Sequence, residues 1–427
     1  MADKDQEEFS FMKEKIKRKP VNKRKLVQKL GFTVLLAVIF GFVACLVFTC
    51  MRPVMERWFH KEEEPRVSLP QYEEMEDTQI DTEEQMPEEA ETSVEGTEIS
   101  VDFSEMMPAD YQALQNKLYT IGTQANHSIV TVTGVKNDTD WFNTPYERQG
   151  QSSGVVVADN GTELLIMTEK RIIEDVSAIH VTFVNNMTTD ATLKKYDGNT
   201  GIAILSVPLN EIDEGTMNRI EIAQLGNALA ESQGSVVLAV GSPLGTTYSI
   251  LMGSITSANN SISAYDGNYA IFTTDIVGSS DGSGVLLNLD GEIIGIIMQD
   301  YSTGEANTLT AVSVSQVKDI LEKLMNNQDV PYLGLKVSTV TKDIQEEYEI
   351  PQGVYVKDVA FDSPALEAGL QSGDVITKIN GEPIETAQAY RNAIMSHSVG
   401  DTIRITVMRQ GAEGYSAVSC RATIGVL

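Results

Sequence analysis

The chain has 427 residues, 42% of them hydrophobic, and a formal net charge of −29. That is enough apolar material for two or three domains with cores of their own. The acidic field excludes nucleic acid as a partner, because a phosphate backbone would be repelled before any base could be read.

Residues 1–29 read as a basic cytoplasmic tail, ending in Lys17, Arg18, Lys19, Lys23, Arg24, Lys25 and Lys29 with no acid among them. Residues 30–51 then run without one charge. At about 1.5 Å per residue such a helix crosses a hydrocarbon core of about 30 Å. The basic residues before it keep the N-terminus inside, so a single-pass anchor is expected with everything after Arg52 outside the cytoplasm. A cleaved signal peptide is the competing reading, but the apolar run is long and ends Phe48-Thr49-Cys50-Met51-Arg52-Pro53, without a small-residue cleavage site.

Residues 52–108 read as an acidic, disordered linker. Between residues 61 and 110 eighteen Asp and Glu stand against only Lys61 and Arg66, over half of the whole charge excess. Such a run repels itself and buries too little apolar surface to offset chain entropy. A tether of this kind reaches on the order of 40 Å, more when its charges repel. Two of the three cysteines, Cys45 and Cys50, fall in the apolar run, leaving Cys420 alone in the exported part, so no disulfide can form there. That suits a bacterial surface protein, with Cys420 a buried small hydrophobe.

From residue 128 the pattern changes. Short β-branched runs at 129–132, 154–157, 164–167, 178–184, 202–207 and 236–240 are separated by Gly, Asn and Asp, which predicts a sandwich or barrel. Helical patterns flank them at 109–120 and 315–326, and a break at Asn326-Asn327-Gln328-Asp329 divides a domain at 109–326 from one at 327–427. The last domain alternates strands with short helices at 363–368 and 387–395.

Ser153-Gly154-Val155-Val156, Gly241-Ser242-Pro243-Leu244-Gly245, Gly253-Ser254-Ile255-Thr256-Ser257, Thr273-Thr274-Asp275 and Asn288-Leu289-Asp290-Gly291-Glu292 follow one another in an order and spacing that resembles the HtrA/Deg-type, trypsin-like serine proteases. The resemblance covers nearly all of residues 125–320 and implies two chymotrypsin-like β-barrels with an active site between them. It also implies a triad that this chain lacks. The family's Leu-Thr-x-x-His string is matched by Ile166-Met167-Thr168-Glu169-Lys170-Arg171, which puts Arg171 at the histidine position, and Thr200-Gly201-Ile202-Ala203 puts Gly201 at the aspartate position. An arginine cannot accept the proton of a serine hydroxyl.

The nucleophile string is matched by Ser280-Asp281-Gly282-Ser283-Gly284-Val285-Leu286. Counting back from Leu286 puts Gly282 at the nucleophile; a slip of one residue puts Ser283 there. The glycines of this loop normally turn backbone N–H groups toward an oxyanion. None of the four histidines, His60, His127, His180 and His397, stands where a base is needed. Lys170 beside the vacant position is a further candidate base for Ser283, although strand alternation should turn it away.

The last domain resembles the PDZ domain that follows the protease in this family. Tyr332-Leu333-Gly334-Leu335 matches the carboxylate-binding loop, and Ser363-Pro364-Ala365, Ala368-Gly369-Leu370, Gly373-Asp374-Val375-Ile376, the Asn380-Gly381 turn and the run Ile403-Arg404-Ile405-Thr406-Val407 match the rest. The resemblance implies capture of a peptide C-terminus by strand addition and backbone N–H groups, with Leu333, Leu335, Tyr390 and Ile394 lining the terminal pocket or merely forming core.

The expected molecule is therefore mainly β: one transmembrane helix, an acidic linker, a degenerate double barrel and an α+β PDZ domain. No cofactor and no metal are expected. The expected function is that of a membrane-bound pseudoprotease which binds C-terminal or unfolded peptides of extracytoplasmic proteins, or regulates an active homologue, in protein quality control. The alternative is an active endopeptidase using Ser283. A third reading makes the barrels a spacer or an oligomerisation element. By the resemblance a homotrimer would form through the segment that holds Phe103, Tyr111 and Tyr119.

Overall fold

The computed structural model describes residues 66–70, 107–139, 145–302 and 307–427. The expected tail, the apolar run 30–51 and most of the acidic linker lie outside the described residues. Among the described residues no helix is long and apolar enough to cross a membrane.

Helix Pro108–Ala125 opens the described fold. Proline at its first turn is pre-set for helical φ, and the Asp110 carboxylate accepts the Met107 N–H at 2.9 Å. The helix extends beyond the expected 109–120 because Ile121 and Ala125 pack on the second barrel.

Six strands then close a first barrel in the order β1-β2-β3-β6-β5-β4: β1 (Ile129–Thr139), β2 (Pro145–Asp159), β3 (Glu163–Glu169), β4 (Ala178–Thr182), β5 (Thr188–Tyr196) and β6 (Ile202–Pro208). Six more close a second, in the order β10-β11-β12-β9-β8-β7: β7 (Val236–Ser242), β8 (Ser249–Ala264), β9 (Gly267–Val277), β10 (Ser283–Leu287), β11 (Ile293–Met298) and β12 (Thr308–Ser313). Closure leaves neither sheet an unpaired edge. β3, β6, β7, β10 and β11 are buried along almost their whole length, which is why they read as continuous apolar runs rather than alternating ones. One face of β2, β3 and β6 joins the core of the second barrel through Val155, Leu165 and Ile204, and the other fills the first barrel through Val156, Ile166 and Leu205.

Helix Lys318–Met325 leads out, buried on Ile320, Leu321, Leu324 and Met325. It corrects one expectation. Residues 66–70 of the linker lie against this helix: Asn326 bonds the Val67 N–H (2.8 Å) and carbonyl (2.7 Å), and Val67 and Leu69 pack on the second barrel's core. Two apolar side chains and a two-way amide clasp outweigh the disordering charge locally.

The PDZ sheet runs β13-β14-β15-β17-β18, with β13 (Leu335–Thr339), β14 (Val354–Val359), β15 (Val375–Ile379), β17 (Thr402–Gly411) and β18 (Gly414–Thr423), and β16 (Glu382–Pro383) paired to β15. Helices Pro364–Glu367 and Ala387–Met395 stand where the sequence placed them, capped by Ser363 and Thr386. Helix Lys342–Tyr348 was not expected; none of its residues is buried, so no apolar stripe announced it. Cys420 is buried in β18.

β13 is an edge strand, pairing only with β14. Helix Ala387–Met395 flanks it, with the Ala387 N–H donating to Thr339 Oγ1 at 2.9 Å. Strand and helix thus form the two walls of a groove that begins at Leu333 and Gly334.

Candidate functional site

The cleft between the barrels is built by the ends of β2, β3 and β10. Arg171 lies in the short helix Lys170–Ile173 after β3. Its Nε donates to Glu169 Oε2 at 2.5 Å and its Nη2 to Glu169 Oε1 at 3.2 Å. Across the cleft Nη2 donates to the Asp281 carbonyl at 3.3 Å, and Nη1 stands 3.7 Å from Asp281 Oδ1. The Glu169 hydrogen bond, acting against burial, holds the guanidinium more firmly protonated still. Glu169 accepts from Ser152 Oγ as well, at 3.2 Å. The cleft therefore holds a clamped cation.

Gly201 sits at φ +76° in the turn before β6, its carbonyl accepting the Lys170 N–H at 2.8 Å. Lys170 turns away from Ser283, its Nζ 3.6 Å from Glu174 and 4.5 Å from the Tyr196 ring centre. The cause is the helical turn that starts at Lys170, not strand alternation.

Ser283 is the first residue of β10, paired with Ser242 on one side and Met298 on the other. It is 1% exposed, and its Oγ accepts the Ser153 N–H at 3.0 Å. Gly282 precedes it in a turn closed by its own N–H donating to the Ser279 carbonyl at 2.9 Å, so this amide is not aimed at an oxyanion. A Cβ at 282 would lie 2.7 Å from the Pro243 carbonyl oxygen and 2.9 Å from that of Ser279; both are backbone atoms that cannot swing aside. The cavity beneath, among Ser153, Thr168, Glu169 and Gly284, holds about 10 Å³, no more than one water. Of the histidines, His180 bonds Asp190, His127 the Arg219 carbonyl and His397 the Ala393 carbonyl; His60 lies outside the described residues.

The PDZ groove has the opposite character. Its loop, residues 332–335, converges three backbone N–H groups on one buried carboxylate, that of Asp266 from the β8–β9 hairpin. Leu333 and Gly334 donate to Oδ2 at 2.7 Å each, and Leu335 to Oδ1 at 3.1 Å. The Tyr390 hydroxyl donates to Oδ1 at 2.5 Å. The Asp266 N–H in turn donates to the Leu335 carbonyl at 2.7 Å.

Gly334 takes φ +93°, and a Cβ there would stand 2.4 Å from Ser363 Cβ; the loop can fold over a carboxylate only without a side chain at that point. Burial pushes the Asp266 carboxyl up, against the Tyr390 hydroxyl and the three amides, which pull it down. Burial with the charge of Asp266 raises the Tyr390 phenol well above its ordinary range, and burial pushes Tyr332 up to about 12. Leu333, Leu335, Tyr390 and Ile394 all belong to the PDZ core, and Tyr332 is buried beside them. A second tie fixes the domain. Arg391 donates to the Gln316 carbonyl and to Asp319 Oδ1, both at 2.8 Å, and lies 5.6 Å over the Tyr269 ring.

Sequence reasoning missed Asp266 and Glu169. The Asp266-Gly267 pair signals a hairpin turn, but no local pattern says what a turn will touch. Glu169 reads as an ordinary strand-end carboxylate.

The PDZ domain family matches residues 331–418, and the trypsin-like peptidase domain family matches residues 152–296. The serine protease Do-like HtrA of Lactobacillus helveticus is 29% identical over 290 residues, 64% of this chain and 68% of the relative. That of Bacillus subtilis (strain 168) is 28% identical over 284 residues, 62% of each chain. A probable periplasmic serine endoprotease, DegP-like, of Halomonas elongata is 28% identical over 272 residues, 62% of this chain and 55% of the relative. Among solved structures, HtrA-type protease AlgW with a decapeptide superposes with a TM-score of 0.53 at 20% identity, covering 73% of this chain and 98% of the other, a likeness of fold. Two closed barrels in tandem, a PDZ sheet after them and these matches agree: the chain carries a trypsin-like peptidase domain followed by a PDZ domain and is similar over both to the HtrA-type serine proteases.

Proposed function

We propose that the chain is a membrane-anchored, non-proteolytic member of this family that binds the C-termini of extracytoplasmic proteins through its PDZ groove. The observation that carries the reading is the loop at residues 332–335, whose three N–H groups already hold a carboxylate. A group so arranged recognises a peptide terminus by charge-assisted hydrogen bonds and leaves the β13 edge for the strand behind it.

Loss of proteolysis is supported by the absence, among the described residues, of a base beside the nucleophile turn, by the burial of Ser283 and by the carbonyl oxygens where a side chain at Gly282 would stand. The anchor rests on the uncharged run 30–51 and the basic residues before it, and the outside placement on the periplasmic relatives. A second reading is regulation of an active homologue by co-assembly. It is favoured by one observation: Tyr111, Leu114 and Tyr119 of helix Pro108–Ala125 stand exposed on one element.

Calorimetry of the detergent-solubilised chain with decapeptides ending in an apolar residue tests the principal reading. A peptide with a free terminal carboxylate is expected to bind, and the same peptide amidated is not. Equal binding of both forms would contradict terminal recognition.

A further inference from the structure

The groove that reads as the peptide site is not empty. Asp266 stands at the tip of the hairpin joining β8 to β9, between Tyr265 and Gly267, at φ +56°. Aspartate tolerates this left-handed conformation where most residues do not. The tip presents two things a peptide's last residue would present. One is a carboxylate, received by the N–H groups of Leu333, Gly334 and Leu335. The other is a backbone N–H, received by the Leu335 carbonyl at the start of the edge strand. Asp266 is 8% exposed, and its two oxygens receive four donors once the Tyr390 hydroxyl is counted. Nothing is left over for a second carboxylate.

We propose that the hairpin tip is a built-in competitor of the PDZ groove, closing it to C-terminal peptides until one displaces the Asp266 side chain. The proposal rests on the reading of the groove as a C-terminus receptor. A tethered group competes at an effective concentration on the order of millimolar, without any new contact. Displacement has somewhere to go. Tyr265 at the tip borders a cavity of about 560 Å³, shared with Gly198, Asn199, Tyr301 and Lys336. Tyr265 is held there by a hydroxyl bond to Asp358 at 3.1 Å, the Lys336 ammonium 4.7 Å from its ring centre and the Asn199 amide on its carbonyl. Returning the Asp266 carboxylate to water also refunds its desolvation, so the contact is one a ligand can reverse.

Apparent affinity falls by the fraction of time the groove is open. If that fraction is about a tenth, removing the carboxylate tightens binding about tenfold. The test compares wild type, Asp266→Gly and Asp266→Asn, each as the full chain in detergent. Both replacements accept φ +56°, and Asn keeps the size, so at least one variant retains the hairpin. Amide hydrogen exchange is followed on a peptic fragment that covers residues 333–335. Fluorescein-labelled decapeptides with random upstream sequence and terminal Leu, Val or Phe, as free acid and as amide, report binding.

The expected result is exchange at residues 333–335 at least tenfold faster in both variants, and free-acid binding about tenfold tighter, with no gain for the amides. Unchanged exchange and unchanged free-acid affinity in both variants overturns the proposal. Faster exchange with no peptide bound by any form upholds occupancy by Asp266 and removes the peptide reading instead, so the two failures are told apart.

Discussion

In the cleft between the barrels Arg171 is clamped by Glu169, Gly201 has no side chain, and Ser283 is tied down inside β10. In the PDZ groove every group needed to hold a carboxylate is in place and engaged, by a residue of the same chain. On the proposed reading one site is closed by substitution, the other by occupation. On that reading a hydrogen-bonded plug can be exchanged for an equivalent ligand, whereas an absent base is not restored by binding anything.

Four substitutions sharpen that contrast. The largest effect is expected at Asp374, 1% exposed, which receives both Nε and Nη2 of Arg409 at 2.7 Å. Asp374→Ala leaves the guanidinium without its carboxylate partner, with only the Gly369 carbonyl to receive it, and should cost the PDZ domain about 3 kcal/mol, read as an early phase in urea denaturation that abolishes peptide binding. A single transition at the wild-type midpoint would break the picture of a separately held receptor. Next is Arg391→Ala, which removes two bonds to the barrel side and the Tyr269 contact. A cost of about 2 kcal/mol is expected, with faster exchange at residues 333–335, because the hairpin that carries Asp266 and the helix that carries Tyr390 are then no longer registered.

The smallest contrast lies in the cleft. Arg171→Ala strands Glu169, whose side chain is only 11% exposed, and should lower stability by about 1–3 kcal/mol. Asp281→Ala removes an 83% exposed carboxylate at 3.7 Å and should cost under about 1 kcal/mol. Equal melting shifts for the two would mean that the cross-cleft pair, not Glu169, fixes Arg171.

Much of this architecture was legible in the sequence. The buried strands β3, β6 and β7 announced themselves as short apolar runs, and the helices of the last domain as short patterns at 363–368 and 387–395. The sequence put Arg171 and Gly201 at the frame's histidine and aspartate positions, and the structure adds how each is held. What escaped were contacts between residues distant along the chain. Asp266 meets Leu333 across 67 positions and Tyr390 across 124. The clasp of Asn326 on Val67 spans 259. Charge composition pointed to disorder over residues 52–108, and two apolar side chains pinned five of those residues to a helix.

The central claim is that the chain recognises carboxylate termini without cleaving peptide bonds. It is tested most directly by treating the folded full chain with a fluorophosphonate, with and without a free-acid decapeptide, and reading intact mass and peptic fragments. The account predicts no phosphonylated serine under either condition, because among the described residues no hydroxyl in the cleft is both exposed and paired with a base. A stoichiometric adduct on Ser283, lost in Ser283→Ala, would contradict it and make the chain a working endopeptidase.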